Sequence, residues 1–332
     1  MKTCKLLSSI PLWVACALPL AAQAYTASVL TRASAGVSII GGGGSMSHNP
    51  PERYAETTQA GPLSLSHEAH ALTANFPYTA SADAYAWASV APGQIKLYAG
   101  GHASGTASPP TYWQSDSTGY AYASGGFVDE MTLTVAGLPA GTMVLLDFSV
   151  SFDGVAGVNA TGVAGGWGQG GGDYSWGVQV TSGGWGAGMM YSSGTRTYQV
   201  DVNGNVTWNT LDFGTQSFQA WVMAGTPLGL RAWGWVQALG RAGFSYCPAG
   251  CTAQMAGTSS SLMDAGHTLA WGGVQRMQLA DGTDVDLSQV SLWSQTGLDL
   301  MQPITDVPEP GAAAMLALGL AVLALWRRRA GR

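Results

Sequence analysis

Residues 144–153, V-L-L-D-F-S-V-S-F-D, alternate with a strict period of two. Val144, Leu146, Phe148, Val150 and Phe152 fall on one side, and Asp147, Ser149, Ser151 and Asp153 on the other. That pattern predicts a half-buried β-strand with one wet face. Leu133 and Val135 are in phase upstream, and A-G-L-P-A-G at 136–141 predicts a hairpin or a strand corner between the two runs. Residues 197–202 alternate Tyr198, Val200 and Val202 and lead into Asn203-Gly204. Asn-Gly between alternating runs predicts a hairpin, because both turn residues must take positive φ.

Further strands are expected near 84–90, 95–99, 119–123, 174–180, 217–223, 228–238, 269–279 and 285–293, with a turn at Asp281-Gly282. Turn signals recur and no long helical period appears in this region, so the expected fold is all-β, a β-sandwich or jelly roll. Three glycine-rich stretches, 38–51, 165–173 and 183–190, read as loops.

The two ends follow a different pattern. Lys2 and Lys5 precede a mostly apolar run at 6–20, and Ala22-Gln23-Ala24 places small residues where a signal peptidase reads. Residues 1–24 are therefore expected to be a signal helix cleaved after Ala24. At the other end, 311–326 is uncharged and mostly apolar, and Arg327, Arg328, Arg329 and Arg332 follow. A helix of that length reaches about 24 Å, short of a bilayer core of about 30 Å. The arginines belong on the cytoplasmic side. The expected organisation is a signal peptide (1–24), an exported domain (25–302), a linker (303–310), a single short transmembrane helix (311–326) and a basic tail (327–332).

Composition narrows the partners. The chain holds 13 Lys and Arg against 19 Asp and Glu. Setting aside two lysines in the leader, four arginines in the tail and Glu309 leaves 7 against 18, a balance of −11 for the exported part. That balance repels nucleic acid.

With Cys4 and Cys16 in the leader, only Cys247 and Cys251 remain, in C-P-A-G-C. In an oxidising compartment this predicts a local disulfide. A metal site would need further ligands, and C-x3-C is not the C-x-x-C redox spacing.

No catalytic motif stands out. H-E-A-H at 67–70 lacks the H-E-x-x-H spacing and reads as a surface loop or strand edge. There is no G-x-S-x-G elbow and no cofactor motif, so no cofactor and no enzymatic activity are expected. D-G-T-D-V-D at 281–286 groups three carboxylates and could offer oxygens to calcium. The favoured reading is a polar hairpin turn with Asp284 and Asp286 on the wet face of a strand, and no metal is assigned. Tryptophans remain: those on expected strands, Trp293 among them, read as core. Trp167 and Trp185, surrounded by glycine, read as exposed candidates for stacking on sugar rings.

Val307-Pro308-Glu309-Pro310, then the apolar run, then the arginines, resembles the PEP-CTERM sorting domain of Gram-negative bacteria. The resemblance implies a sorting signal of Pro308, Glu309, Pro310, Arg327, Arg328 and Arg329, read by an exosortase-like processing enzyme. It implies a transient stay in the inner membrane, delivery to the cell surface or matrix, and a setting of exopolysaccharide and biofilm. Physically, the two prolines hold an extended segment outside the helix. The expected function is thus a non-enzymatic exported surface or matrix protein. The alternative is a carbohydrate-binding module, and a dispersed-site hydrolase comes third.

Overall fold

A computed structural model describes residues 25–304, apart from 41–43, 49–50, 60, 76–77, 109–113, 153, 164, 183–184, 201–205, 211–213 and 246–253. The expected signal helix, membrane helix and arginine tail lie outside the described residues. The strands in chain order begin with β1 (Thr26–Ile40), β2 (Gly44–His48), β3 (Arg53–Thr57), β4 (Leu63–Asn75) and β5 (Tyr78–Ala91). Next come β6 (Gln94–Ala107), β7 (Gln114–Val135), β8 (Met143–Phe152), β9 (Val155–Val163) and β10 (Gly166–Ser182). The last are β11 (Trp185–Val200), β12 (Val206–Thr210), β13 (Gly214–Met223), β14 (Pro227–Phe244), β15 (Met255–Leu279) and β16 (Val290–Ser294).

They form two antiparallel sheets packed face to face. The first runs β11-β10-β14-β7-β1-β2, with β16 also on β7 and β3 also on β1. The second runs β12-β9-β15-β6-β5-β4, with β8 on β15 and β13 on β8. The all-β sandwich expected from the alternation is what forms.

The β8 reading holds: Val144, Leu146, Phe148, Val150 and Phe152 are all buried. The turn at 136–141 is a strand corner, because β7 belongs to the first sheet and β8 to the second. The hairpin turn expected at Asn203-Gly204 lies outside the described residues, and the flanking strands lie in different sheets. β11 pairs with β10, and β12 pairs with β9 in the opposite sheet. Two of the stretches read as loops, 165–173 and 183–190, lie almost wholly in β10 and β11, and β2 occupies part of the third. Conversely, 285–293 begins with a short 3-10 turn, Leu287–Gln289, before β16.

In β10 the cause of the misreading is visible. Gly166, Gly168, Gly170 and Gly172 point inward while Trp167, Gln169 and Asp173 point outward. The alternation is present, but its inward member is glycine, which a hydrophobicity pattern does not register as core. The reason glycine is needed is distance. A Cβ on Gly101 of β6 would lie 2.5 Å from the Gly119 oxygen and 2.8 Å from the Gly240 nitrogen, both in the other sheet. A Cβ on Gly119 would run into the backbone oxygens of Asp83 and His102. Here the sheets touch backbone to backbone.

The interior therefore tapers. Along β6 the inward series is Ile95, Leu97, Ala99, Gly101, Ala103, Gly105 and Ala107. Along β14 it begins with Leu228 and Leu230 and narrows to Gly240 and Ala242. The bulky side chains gather at the thick end. Trp176 stacks on Phe152 with centroids 5.3 Å apart, and Phe148 meets Trp271 at 5.0 Å. Beyond the glycine contact a small separate cluster, including Tyr78, Phe244 and Met255, seals the far tip.

At the thick end residues 292–300 fold back on themselves. Leu300 N–H donates to Leu292 O at 2.8 Å, Ser294 N–H to Leu298 O at 3.0 Å, and Gly297 supplies the positive φ of the turn. Asp129 of β7, 2 % exposed, anchors this clasp. Its carboxylate accepts from Thr296 Oγ1 at 2.8 Å and from the Glu130 N–H at 2.9 Å. Burial pushes the Asp129 carboxyl above its ordinary value, and burial plus that charge pushes the Tyr25 phenol up to about 12. The body continues through Ile304, whose N–H donates to Trp271 O at 2.8 Å.

This packing generates two expected outcomes. Gly119→Val should lower unfolding stability by about 3 kcal/mol in a denaturant titration, because backbone cannot yield as a side chain can. Gly36→Ala, with open space around its Cβ, should be near neutral. Asp129 has a raised folded pKa, so its contribution is full below the ordinary carboxylate range and is lost as pH rises through the folded value. Asp129→Asn should flatten that limb of the stability–pH curve.

Candidate functional site

Several expected site residues lie outside the described residues. These are Ala22 and Ala24, Cys247 and Cys251, and the sorting positions Pro308, Glu309, Pro310, Arg327, Arg328 and Arg329. The others can be placed.

Trp167 sits on the outer face of β10, half-buried rather than in a loop. Its ring lies over Gly243 of β14, where a Cβ would come within 3.0 Å of Cζ2. The Arg241 guanidinium stands 5.3 Å from the ring centroid. Arg241 is itself held by both carboxylate oxygens of Asp116, with Nε to Oδ1 at 2.9 Å, and this pairing raises its pKa. Trp233 repeats the device in the opposite sense, lying over Gly177 of β10 with Arg231 at 5.3 Å. Each indole thus fills the groove above a neighbouring glycine and carries a cation, a use of aromatic area that seals the sheet. Trp185 begins β11 and pairs with Ser182.

Between these tryptophans Tyr120 donates to Gln237 Oε1 at 3.1 Å, and the Gln237 amide donates to Asp173. They border a shallow depression of about 110 Å³ over Gly170–Gly172. Burial raises the Tyr120 phenol, which remains a neutral donor.

The H-E-A-H stretch lies in β4, the edge strand of the second sheet, as the strand-edge reading expects. It splits by parity: His67 is buried, with Nδ1 3.1 Å from Thr31 O, while Glu68 and His70 face outward. His70 Nδ1 is 2.8 Å from Asp83, and that hydrogen bond raises its pKa. His102 stands 3.6 Å from the same carboxylate.

The three carboxylates at 281–286 are committed to separate local donors. Asp281 accepts the Thr283 N–H at 2.9 Å, Arg276 grips Asp284 at 2.8 and 3.2 Å, and Asp286 caps the 3-10 turn through the Ser288 N–H at 2.9 Å. These bonds hold all three below the usual carboxylate range.

A larger concavity opens at the thick end. A cleft of about 460 Å³ lies between β16 of the first sheet and residues 274–275 of β15 in the second. Val274, Val290 and Met301 give it apolar surface, and Gln275, Asp299 and Gln302 give it polar surface. Trp293 lines it as well and is 51 % exposed. This corrects the expectation that strand tryptophans are core. The signal was present in V-S-L-W-S: with Val290 and Leu292 inward, parity sends Trp293 outward. The same parity exposes Trp221 beside Phe218, Ala220 and Val222. Trp176 and Trp271 are core, as expected.

Because the 281–286 carboxylates already have donors, neither added calcium nor EDTA should move the melting temperature. Their depressed pKa values contribute stability above the ordinary carboxylate range, and acidification toward the folded values should remove it. A thermal melt series in acid checks the sign.

Neither a curated protein nor a solved structure matches this chain. Residues 306–329, beginning two positions after the last described residue, match the PEP-CTERM protein-sorting motif. The body ends in a packed clasp, and the segment beyond that clasp is the sorting signal of an exosortase-processed, exported protein.

Proposed function

We propose that this chain is a non-catalytic component of the cell surface or extracellular matrix, delivered through its C-terminal motif and associated there with exopolysaccharide. The observation that carries the reading is the match at 306–329 directly after a β-sandwich. A signal peptide cleaved after Ala24 begins export, and the short membrane helix is a temporary stop.

Geometry supports processing at the tripeptide. Ile304 is hydrogen-bonded into the body, and Pro308 lies four residues on. Covalent geometry allows those residues at most about 14 Å. While tethered, the thick end of the sandwich therefore stays beside the membrane face, and cleavage frees the whole body. Among the described residues the conspicuous polar groups, Asp116, Asp173 and Asp281–Asp286, are engaged in structural hydrogen bonds. That supports a structural or binding role over a catalytic one.

In the native host, Pro308→Ala combined with Glu309→Ala should leave a larger, membrane-retained species in place of the released one. Immunoblots of membrane and extracellular fractions read this directly. Normal release of the double variant would overturn the sorting reading. Released protein that fails to co-sediment with exopolysaccharide would overturn the matrix association.

A further inference from the structure

We propose that the thick-end cleft is a saccharide-binding site, taking a neutral sugar whose pyranose ring stacks on Trp293. The assignment deepens the matrix reading above and rests on it for its setting. It moves the contact away from Trp167, whose ring already carries the Arg241 guanidinium.

Three features of the cleft point to this ligand class. The first is an aromatic face directly beside a carboxylate. Trp293 and Asp299 are paired across an isolated antiparallel bridge, so their side chains leave the backbone on the same side. A pyranose offers an apolar C–H face to the indole and equatorial hydroxyls to an acceptor next to it. One oxygen of Asp299 accepts the Met301 N–H at 3.0 Å, and a carboxylate can accept several donors.

The second is the remaining lining. The Gln275 amide nitrogen is fixed by Ser149 Oγ and Gly272 O, both at 3.0 Å, which orients its carbonyl. Gln302 also lines the cleft. Among the described residues that line the cleft, Asp299 alone is charged, so a polyanionic chain meets repulsion and no cation. The volume, about 460 Å³, falls within the range of small-ligand sites.

The third is rigidity. Gln295 bonds to Glu130 through both backbone and side chain, each at 2.7 Å. Thr296 is tied to Asp129, and Trp271 Nε1 donates to Leu300 O at 2.7 Å. The wall that carries Trp293 and Asp299 is therefore held before any ligand arrives, which reduces the ordering cost of binding.

The test uses the full-length chain, solubilised from membranes in mild detergent, so that a processing defect cannot mimic a binding defect. Cellohexaose, laminarihexaose and mannohexaose serve as neutral probes, and polygalacturonate as an anionic one. Binding is read by tryptophan fluorescence and calorimetry. At least one neutral probe should bind, and polygalacturonate should not. Trp293→Ala should weaken binding by at least about tenfold. Trp293→Phe should recover part of the loss and Asp299→Asn should weaken binding less, while Trp221→Ala should leave affinity unchanged. Melting temperatures of the variants should match the parent.

Absence of binding by all three neutral probes would overturn the proposal, and so would preference for polygalacturonate or undiminished affinity in Trp293→Ala. Binding with failed release would instead overturn the sorting reading alone, and release without binding would overturn this one alone.

Discussion

Backbone-to-backbone contact between the two sheets at Gly101, Gly119 and Gly240 constrains everything else in this molecule. Sheets in a sandwich ordinarily stand about 10 Å apart, with interdigitating side chains between them. Here Gly101, Gly119 and Gly240 have no room even for a methyl group. Strands around this contact present mostly small residues inward, as β5 does with Ala80, Ala82, Ala84, Ala86 and Ala88 and β15 with Ser259 and Ser261. Glycine costs conformational entropy and contributes little apolar area. The long ladders compensate: β14 pairs with β7 continuously from Pro227 to Phe244.

The hydrophobic stabilisation is consequently displaced to the thick end, where Trp176, Phe148, Phe152, Leu146 and Leu230 are buried. The same taper opens the concavity at this end. Sheets that touch in the middle stand apart where bulky side chains hold them, and the cleft beside Trp293 lies between their separated rims. The clasp at 292–300 braces that opening, and the sorting segment begins just beyond it. Delivery and the proposed binding site thus share one end of the body. On the outer faces glycine works differently: Gly177 and Gly243 leave grooves that Trp233 and Trp167 fill.

How far the sequence could be read depended on what marked the inward positions. β8 was legible because phenylalanine, valine and leucine mark one face. The second half of β10 was legible near 174–180, but 166–173 was not, because its inward marker is glycine, the residue that elsewhere signals a loop. Trp293 and Trp221 were legible in principle, since strand parity sends them outward, but a general preference for burying tryptophan outweighed parity. Asn203-Gly204 illustrates a different limit. The residues suit a tight turn, yet the strands on either side find partners in opposite sheets, and no local signal reports a partner distant in sequence.

Local chemistry by itself determined the all-β character, the inward and outward parity of each strand, and the sorting segment. A period of two, a pair of prolines and an arginine cluster act through covalent geometry and solvation over a few residues. Tertiary structure decided which strands pair, that glycine runs are strands, and that residues 274–275, 293 and 299–303 meet around one cleft. Those outcomes depend on the spacing between sheets and on pairings between distant segments, and neither is a property of any short stretch of chain.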